Sequence, residues 1–307
     1  MRKIKVIYSL TNRGLYSELF NLALARVYAE SFKMVLVIDT RYWNVKIHKG
    51  WSDFFESTIE CHNDFFSAQL VPYDTDKPWI GKIYYAPKIF FSYYITSIKS
   101  EIFKFFHPHT LLSRDVFGKM RSKNFLNSLG GDCFEQMRAS FLALYQPNAN
   151  VKKQIYEKKK LIGLPDKYIG VHIRRGDKIT AKEMQFISLD KYIKLIFELK
   201  TISKNIYVAT DDVSVIDYLR NKLSLGGFTL FYNNMNTKRG FNENDFNKSS
   251  HQEIYHDTLN VILDMDILIH SCYFVGTYTS NLSRIVPFYI GLNRCTSLDI
   301  KWDVLGS

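Results

Sequence analysis

A chain of 307 residues in which 46% are hydrophobic and 23% charged can bury substantial cores, and its length favours two domains over one. The 41 Lys and Arg outnumber the 30 Asp and Glu to give a formal charge of +11, so anionic partners are favoured, whether nucleotides, anionic lipids or nucleic acid. Excluded are a membrane span, for which no stretch reaches roughly 18 uninterrupted apolar residues, and a zinc framework, since Cys61, Cys133, Cys272 and Cys295 form no Cys-x-x-Cys pair and read as free thiols of a reducing compartment.

Met1 to Leu10 is basic at its start, but its apolar run is too short for a signal peptide, which points to the cytoplasm. Lys3 to Leu10 reads as a strand and Thr11-Asn-Arg-Gly14 as a turn. A helix from about Tyr16 to Phe32 and a strand from Lys33 to Asp39 complete a β-α-β opening, with its loop at the carboxyl end of the first strand. Tyr42 to Tyr145 is rich in aromatics, with helices expected around Phe90 to Phe106 and Asn124 to Tyr145. Five lysines between Lys152 and Lys160, followed by Gly163-Leu-Pro165, mark a polar junction. The expected domains are residues 1–160 and 161–307. Beyond the junction, strands at Tyr168 to Ile173, Asn205 to Ala209, Phe228 to Tyr232 and Tyr273 to Gly276 alternate with helices. Those helices are expected over Ser188 to Lys200, Val213 to Leu223, Gln252 to His270 and Asn281 to Ile290. With no internal repeat, the economical architecture is α/β, two Rossmann-like domains facing a cleft.

The segment Tyr168-Ile-Gly-Val-His-Ile-Arg-Arg-Gly-Asp-Lys178 carries the chemistry. Its apolar positions make a strand that delivers Arg174 and Arg175 to a carboxyl end, where open α/β sheets bind ligands. Paired guanidiniums are permanent charges with planar forks of donors, suited to a phosphate or diphosphate; surface salt bridges are the plainer use of such a pair. Asn205-Ile-Tyr-Val-Ala-Thr-Asp-Asp212 ends in two acids. A parallel sheet would put Asp211 at the same edge to orient an arginine, while Asp212 suits a helix cap. In Tyr273-Phe-Val-Gly-Thr-Tyr-Thr-Ser-Asn-Leu-Ser-Arg284 a strand meets small hydroxyl residues and then a helix. Free amides at that helix start, with the Thr279 and Ser280 hydroxyls, make a phosphate site that needs no metal; a capped helix is the alternative. Val261-Ile-Leu-Asp-Met-Asp266 sets acids in an apolar helix. A carboxylate there needs donors, either the N1-H and amino group of guanine or a structural salt bridge.

Together Val171-His-Ile-Arg-Arg-Gly-Asp-Lys178, Tyr207-Val-Ala-Thr-Asp-Asp212, Val261-Ile-Leu-Asp264 and Val275-Gly-Thr-Tyr-Thr-Ser-Asn-Leu-Ser-Arg284 resemble the α1,6-fucosyltransferase family in order and spacing, over about Tyr168 to Ile290. The resemblance implies a GT-B fold and metal-independent, inverting transfer of L-fucose from GDP-β-L-fucose to a glycan hydroxyl, in α1,6 linkage to a GlcNAc-like sugar. It implies guanosine contacts from His172 and Asp264, the main diphosphate contact from Arg174, support from Arg175 and Asp211, and a phosphate cradle of Thr279, Ser280, Asn281 and Leu282. In the core-fucosylating members a glutamate follows the motif lysine by four residues and serves as base. Here Lys182 holds that spacing and Glu183 comes one later, with Phe186 three beyond it as in the family. Glu183 is therefore assigned as base through a one-residue insertion, and Lys178 as its helper. Charge gathering on the β-phosphate would fall to Arg174 and the helix terminus near Ser280, the task a divalent ion has in other transferases. No cofactor and no metal are implied.

The front half carries less of the resemblance. Asn12-Arg-Gly-Leu-Tyr-Ser-Glu-Leu19 is similar to the glycine-containing first loop of fucosyltransferases, which makes Arg13 and Gly14 a candidate substrate loop, although a helix-start turn explains Gly14 as well. None of the membrane anchor, coiled segment or SH3-like module of the longer eukaryotic core-fucosylating enzymes is visible. Asp74-Thr-Asp76 and Asp264-Met-Asp266 have the form of metal-binding pairs, but the first sits in a polar loop and the second in a helix, where alternate residues face apart. For an oligosaccharide or lipid-linked acceptor, Lys82 to Phe106 mixes lysines with aromatics as a peripheral contact with an anionic membrane would; aromatics at helical spacing are more often core. α1,2- and O-fucosyltransferases share the arginine motif, and another GDP-sugar is a further alternative. Thr277-Tyr-Thr-Ser-Asn281 stands where the α1,2 group shows a tryptophan-rich segment. A non-catalytic nucleic-acid binder would use the +11 charge yet leave the strand-end motifs without purpose, so nucleic acid is not an expected partner.

Overall fold

The computed structural model of the chain describes residues 3–56, 98, 100–176, 185–233 and 240–305. In β1 (Lys5–Ser9) successive side chains take opposite faces: Val6 and Tyr8 join the core beneath α1 (Leu15–Ser31), while Ile7 meets Val37, Leu112 and Phe103 on the other side. α1 is buried nearly all round because the sheet covers one side of it and later helices cover the other. β2 (Val35–Asp39) and β3 (Thr110–Leu112) both pair with β1 in parallel, in the order β2-β1-β3. The sequence showed no sign of β3, whose three residues are too few to display an alternation.

Next come α2 (Ser113–Met120), α3 (Lys123–Ser128) and α4 (Cys133–Leu144). The single helix expected over Asn124 to Tyr145 is broken at Gly130, which takes φ 63° in the turn between α3 and α4. The polar junction expected at Lys152 to Lys160 is instead helical: α5 spans Ala149–Ile162. Asn148 caps it by accepting from the Val151 amide at 2.9 Å, and Gly163 closes it in the left-handed region at φ 66°. Val151 and Ile155 are buried, and Lys158 donates to Asn260 at 2.6 Å, so the lysines decorate a packed helix. Of the helix expected over Phe90 to Phe106, residues 98 and 100–106 are described and helical; the rest, with the remainder of Lys82 to Phe106, lies outside the described residues.

The second half alternates as expected. β4 (Ile169–Ile173), α6 (Leu189–Glu198), β5 (Asn205–Thr210), α7 (Val213–Leu223) and β6 (Thr229–Tyr232) lead through the short α8 (Glu243–Phe246) to α9 (His251–Ile269), β7 (Tyr273–Gly276), α10 (Asn281–Ile285), α11 (Pro287–Ile290) and β8 (Cys295–Ser297). All five strands are parallel, in the order β6-β5-β4-β7-β8. β4 is buried on both faces, with Ile169, Val171 and Ile173 in the cluster that includes α6 and α7, and Gly170 facing Leu268 and Ser271 at the end of α9. The carboxyl-terminal segment returns to the first half, where Phe288 of α11 stacks 5.0 Å from Phe141 of α4 and lies 6.3 Å from Phe20 of α1. Among the described residues no helix is long and apolar enough to cross a membrane.

Candidate active site

β4 is the central strand of its sheet, and β5 and β7 flank it in parallel, so three carboxyl ends meet at one edge. Arg174 and Arg175 follow β4, Asp211 follows β5, and the turn from Thr277 to Ser280 follows β7. Asp211 organises this edge. Its Oδ1 accepts from the Arg175 amide at 2.7 Å, and its Oδ2 accepts from the amides of Gly176 at 2.9 Å and Phe241 at 3.3 Å. The same Oδ2 lies 3.2 Å from Arg174 Nε, and the Arg174 guanidinium rests 5.1 Å over the Phe241 ring. One carboxylate thus clamps the turn after β4 and aims its first arginine. Gly176 is required for that close packing, since a Cβ there would collide with the Phe241 backbone.

The two arginines diverge. Arg175 Nη2 donates to the Ile187 carbonyl at 2.7 Å, and its guanidinium lies 4.4 Å over Phe186. It therefore holds the point where the chain returns after residues 177–184. Lys178 and Glu183 are in that stretch, outside the described residues.

His172 is 6% exposed, and its Nδ1 lies 2.7 Å from Ser283 Oγ of α10. Burial, reinforced by the Arg174 charge and opposed by Asp211, pushes its pKa down to about 4, so the ring is neutral and Nε2 is the nitrogen not engaged by Ser283. Asp264, in α9, accepts from Tyr207 Oη at 2.6 Å. Protein crowds the carboxyl enough that burial pushes it up to about 7 against the Tyr207 hydrogen bond and the Lys158 charge, although part of the residue still reaches solvent. Asp266 turns to Lys159 of α5 instead, so this Asp-x-Asp pair does not converge. Asp74 and Asp76 lie outside the described residues, and among the described residues no cluster of three or more His, Cys, Asp or Glu is arranged to hold a metal.

The turn after β7 differs from the expected row of free donors. Asp299, beyond β8, takes the Tyr278 amide at 2.7 Å, the Thr279 amide at 3.1 Å and the Thr279 hydroxyl at 2.5 Å. Ser297 Oγ and the Ile300 amide complete its shell at 2.5 and 2.7 Å. Burial works against its charge, but these donors outweigh it and hold the carboxyl below the usual range. Thr279 is thus spent on shaping the turn. Ser280 makes no cap bond with its side chain, Asn281 Oδ1 accepts from Arg284, and Leu282 is buried. The amides of Asn281, Leu282 and Ser283 precede the first intrahelical bond, which Arg284 N–H makes to the Ser280 carbonyl.

In the first half of the chain, Arg13 lies 5.1 Å over Phe117, and Gly14 precedes α1 with its carbonyl accepting from the Ser17 and Glu18 amides. Among the described residues nothing lies within 4 Å of where a Gly14 Cβ would be, so protein packing alone does not call for a glycine there. Asn44 Nδ2 donates to Asn12 O at 3.1 Å and to Asn247 Oδ1 at 3.2 Å, tying this loop to the chain just after α8. Sequence reasoning missed Asp299 and Phe241, whose partners are far away in the chain. It also passed over Glu18, although an acid set among the apolar residues of α1 was a visible signal.

Residues 133–290 match the family described as Alpha-(1,6)-fucosyltransferase N- and catalytic domains. Among solved structures, NodZ alpha-1,6-fucosyltransferase soaked with GDP-fucose is similar with a TM-score of 0.55 at 19% identity, over 94% of this chain and 93% of that one. POFUT1 in complex with GDP-fucose is similar at 0.54 and 12% identity, over 98% of each chain. A FUT1 mutant from Arabidopsis thaliana in complex with GDP gives 0.52 and 11%, over 95% of this chain and 69% of that one. The shared architecture is α/β with parallel sheets, the GT-B arrangement of these fucosyltransferases.

Proposed function

This chain belongs to the alpha-(1,6)-fucosyltransferase family, and from that premise we propose that it transfers L-fucose from GDP-β-L-fucose to a GlcNAc-like glycan hydroxyl in α1,6 linkage, with inversion and without a metal. It is a glycosyltransferase; the donor, linkage and mechanism are this proposal. The observation that carries it is the meeting of Arg174, Asp211 and the α10 terminus at one edge of the sheet, an anion site aimed by a carboxylate. Solved neighbours of the same fold hold GDP-fucose or GDP.

In this reading, residues 161–307 bind the donor and residues 1–160 face the acceptor. Glu183 removes the proton of the acceptor hydroxyl, whose oxygen attacks the anomeric carbon from the face opposite the phosphate. As the bond from that carbon to the β-phosphate oxygen breaks, GDP leaves with the electron pair. Arg174 and the first amides of α10 stabilise the charge that develops there. Arg175, locked onto Phe186 and Ile187, fixes one end of the segment that bears Glu183 and Lys178. Asp264 receives the guanine edge with the oxygen that Tyr207 leaves open, and His172 lines the same site as a neutral ring.

The free thiols of Cys133, Cys272 and Cys295 support a reducing compartment. Phe105 and Phe106, 81% and 72% exposed, support a peripheral membrane contact near the end of the 82–106 segment. Calorimetric titration with GDP, UDP and CMP in EDTA tests the donor reading. Binding of GDP alone is expected; equal binding of all three, or none, would contradict it.

A further inference from the structure

If the donor diphosphate is met by Arg174 and the α10 amides, three further arginines gather where the amino-terminal helices meet α10, and among the described residues none of them forms an ion pair. Arg13 and Arg121 both lie over the Phe117 ring, at 5.1 and 5.6 Å, and Arg284 lies 4.3 Å over Phe20 in α1. Two of them donate to neutral amides: Arg121 Nη1 to Asn21 Oδ1 at 2.8 Å, and Arg284 Nη2 to Asn281 Oδ1. Among the described residues none of the three has a carboxylate within 4.0 Å, whereas Arg41, Arg114 and Arg174 each do.

Two acids act on the group from beyond ion-pair distance: Asp303 partly offsets the lowering of Arg284, and Glu18 interacts with Arg13. Glu18 is 1% exposed; its Oε1 accepts from Thr11 Oγ1 at 2.5 Å, and its Oε2 has no partner among the described residues. Burial holds its carboxyl above the usual range, against the Thr11 hydrogen bond and the Arg13 charge. The arginines also repel one another. Burial and then Arg121 push Arg284 down to about 10, and Arg13 helps lower Arg121. Arg284 is 6% exposed, and its Nε makes no hydrogen bond among the described residues. Like charges gathered against their repulsion, with donors left over, suit an oxyanion.

We propose that Arg13, Arg121 and Arg284 form an oxyanion subsite between the amino-terminal helices and α10, so that the preferred acceptor carries a phosphate or carboxylate close to the sugar that receives fucose. The inference rests on the donor reading above. The acceptor is taken as the source of the oxyanion because the donor phosphates are assigned to Arg174 and the α10 amides, whereas Arg13 follows β1 of the other sheet and Arg121 shares its aromatic platform.

The test is calorimetry on the full chain, first with GDP and then, at saturating GDP, with N-acetylglucosamine, N-acetylglucosamine 1-phosphate and glucuronate. GDP fills the donor's own anion site, so the second titration reads the other one. At least one anionic sugar is expected to bind about tenfold or more tighter than the neutral sugar. Arg13→Ala and Arg121→Ala should each erase that preference with GDP affinity unchanged, and Arg121→Lys should keep part of it. Arg13, half-exposed in a loop, gives a variant with little packing to lose. Equal binding of neutral and anionic sugars by the wild type overturns the subsite. A matching loss of GDP affinity in the variants also overturns it, by assigning these arginines to the donor. Failure of the first titration sinks the donor reading itself.

Discussion

His172 and Asp264 serve the same side of the C-terminal sheet, since Gly170 and Tyr207 stand side by side in register, and they titrate in opposite senses. The His172 ring has a folded pKa of about 4 against an ordinary 6.5. Between those values the unfolded chain binds the extra proton, so this contribution to stability falls as pH falls. Asp264 is held at about 7 against 3.8. There the folded chain keeps the proton, and stability falls as pH rises through the window. The two offset one another between pH 4 and 6.5. The wild type should therefore show a shallow profile there, with His172→Asn exposing the falling slope of Asp264 and Asp264→Asn the rising slope of His172. Denaturant midpoints across that range check this. At pH 8, Asp264→Asn is expected to be as stable as the wild type or more so, yet to bind GDP about tenfold more weakly, because the charge that costs stability is the one proposed to meet guanine. Arg174→Ala should lower turnover by about a hundredfold or more and weaken GDP binding. Arg174→Lys should restore little, because a lysine cannot repeat the Nε pairing with Asp211 while presenting a fork to phosphate.

At the scale of the element, the turn between β7 and α10 depends on a residue outside both. Asp299→Asn should cost about 1–3 kcal/mol of stability by leaving the Tyr278 and Thr279 amides poorly matched. GDP affinity should fall with it, measured by calorimetry below the unfolding transition. An unchanged GDP affinity would separate the turn from donor binding. This element also marks where sequence reasoning stops. The run from β4 into Arg174 and Arg175 was readable because a buried parallel strand is a continuous apolar segment, and Asp211 could be placed because parallel neighbours bring their carboxyl ends together. The Asp299 contact follows no local period. Its partners lie about twenty residues upstream, across a strand of only three residues that the sequence did not reveal. α5 was misread for another reason: its lysines resemble a linker until Val151 and Ile155 are seen buried at helical spacing.

For the whole molecule, the closing segment makes the two halves one structure. Phe288 is fully buried among Phe134, Phe141 and Trp302, at 5.0, 5.0 and 5.4 Å, with Phe20 of α1 just beyond. Phe288→Ala should cost about 3–5 kcal/mol in chemical denaturation. It should also weaken the hold of α11 on α4, so a loss confined to one half of the chain would contradict the shared core. The α/β class and the repeated strand-helix order were legible from periodicity. The aromatic seam was not, because Phe20, Phe141 and Phe288 come from three distant segments and only the folded chain brings them together.

The central claim is that this chain moves fucose from GDP-β-L-fucose with inversion and without metal. Its most direct test is proton NMR of wild type and Arg174→Ala incubated with that donor and a chitooligosaccharide in EDTA. An α-linked fucosyl product from the wild type, and a rate lower by about a hundredfold or more from Arg174→Ala, is the expected result. A β-linked product, turnover that returns only when a divalent ion is added, or an Arg174→Ala enzyme as fast as the wild type would contradict the account.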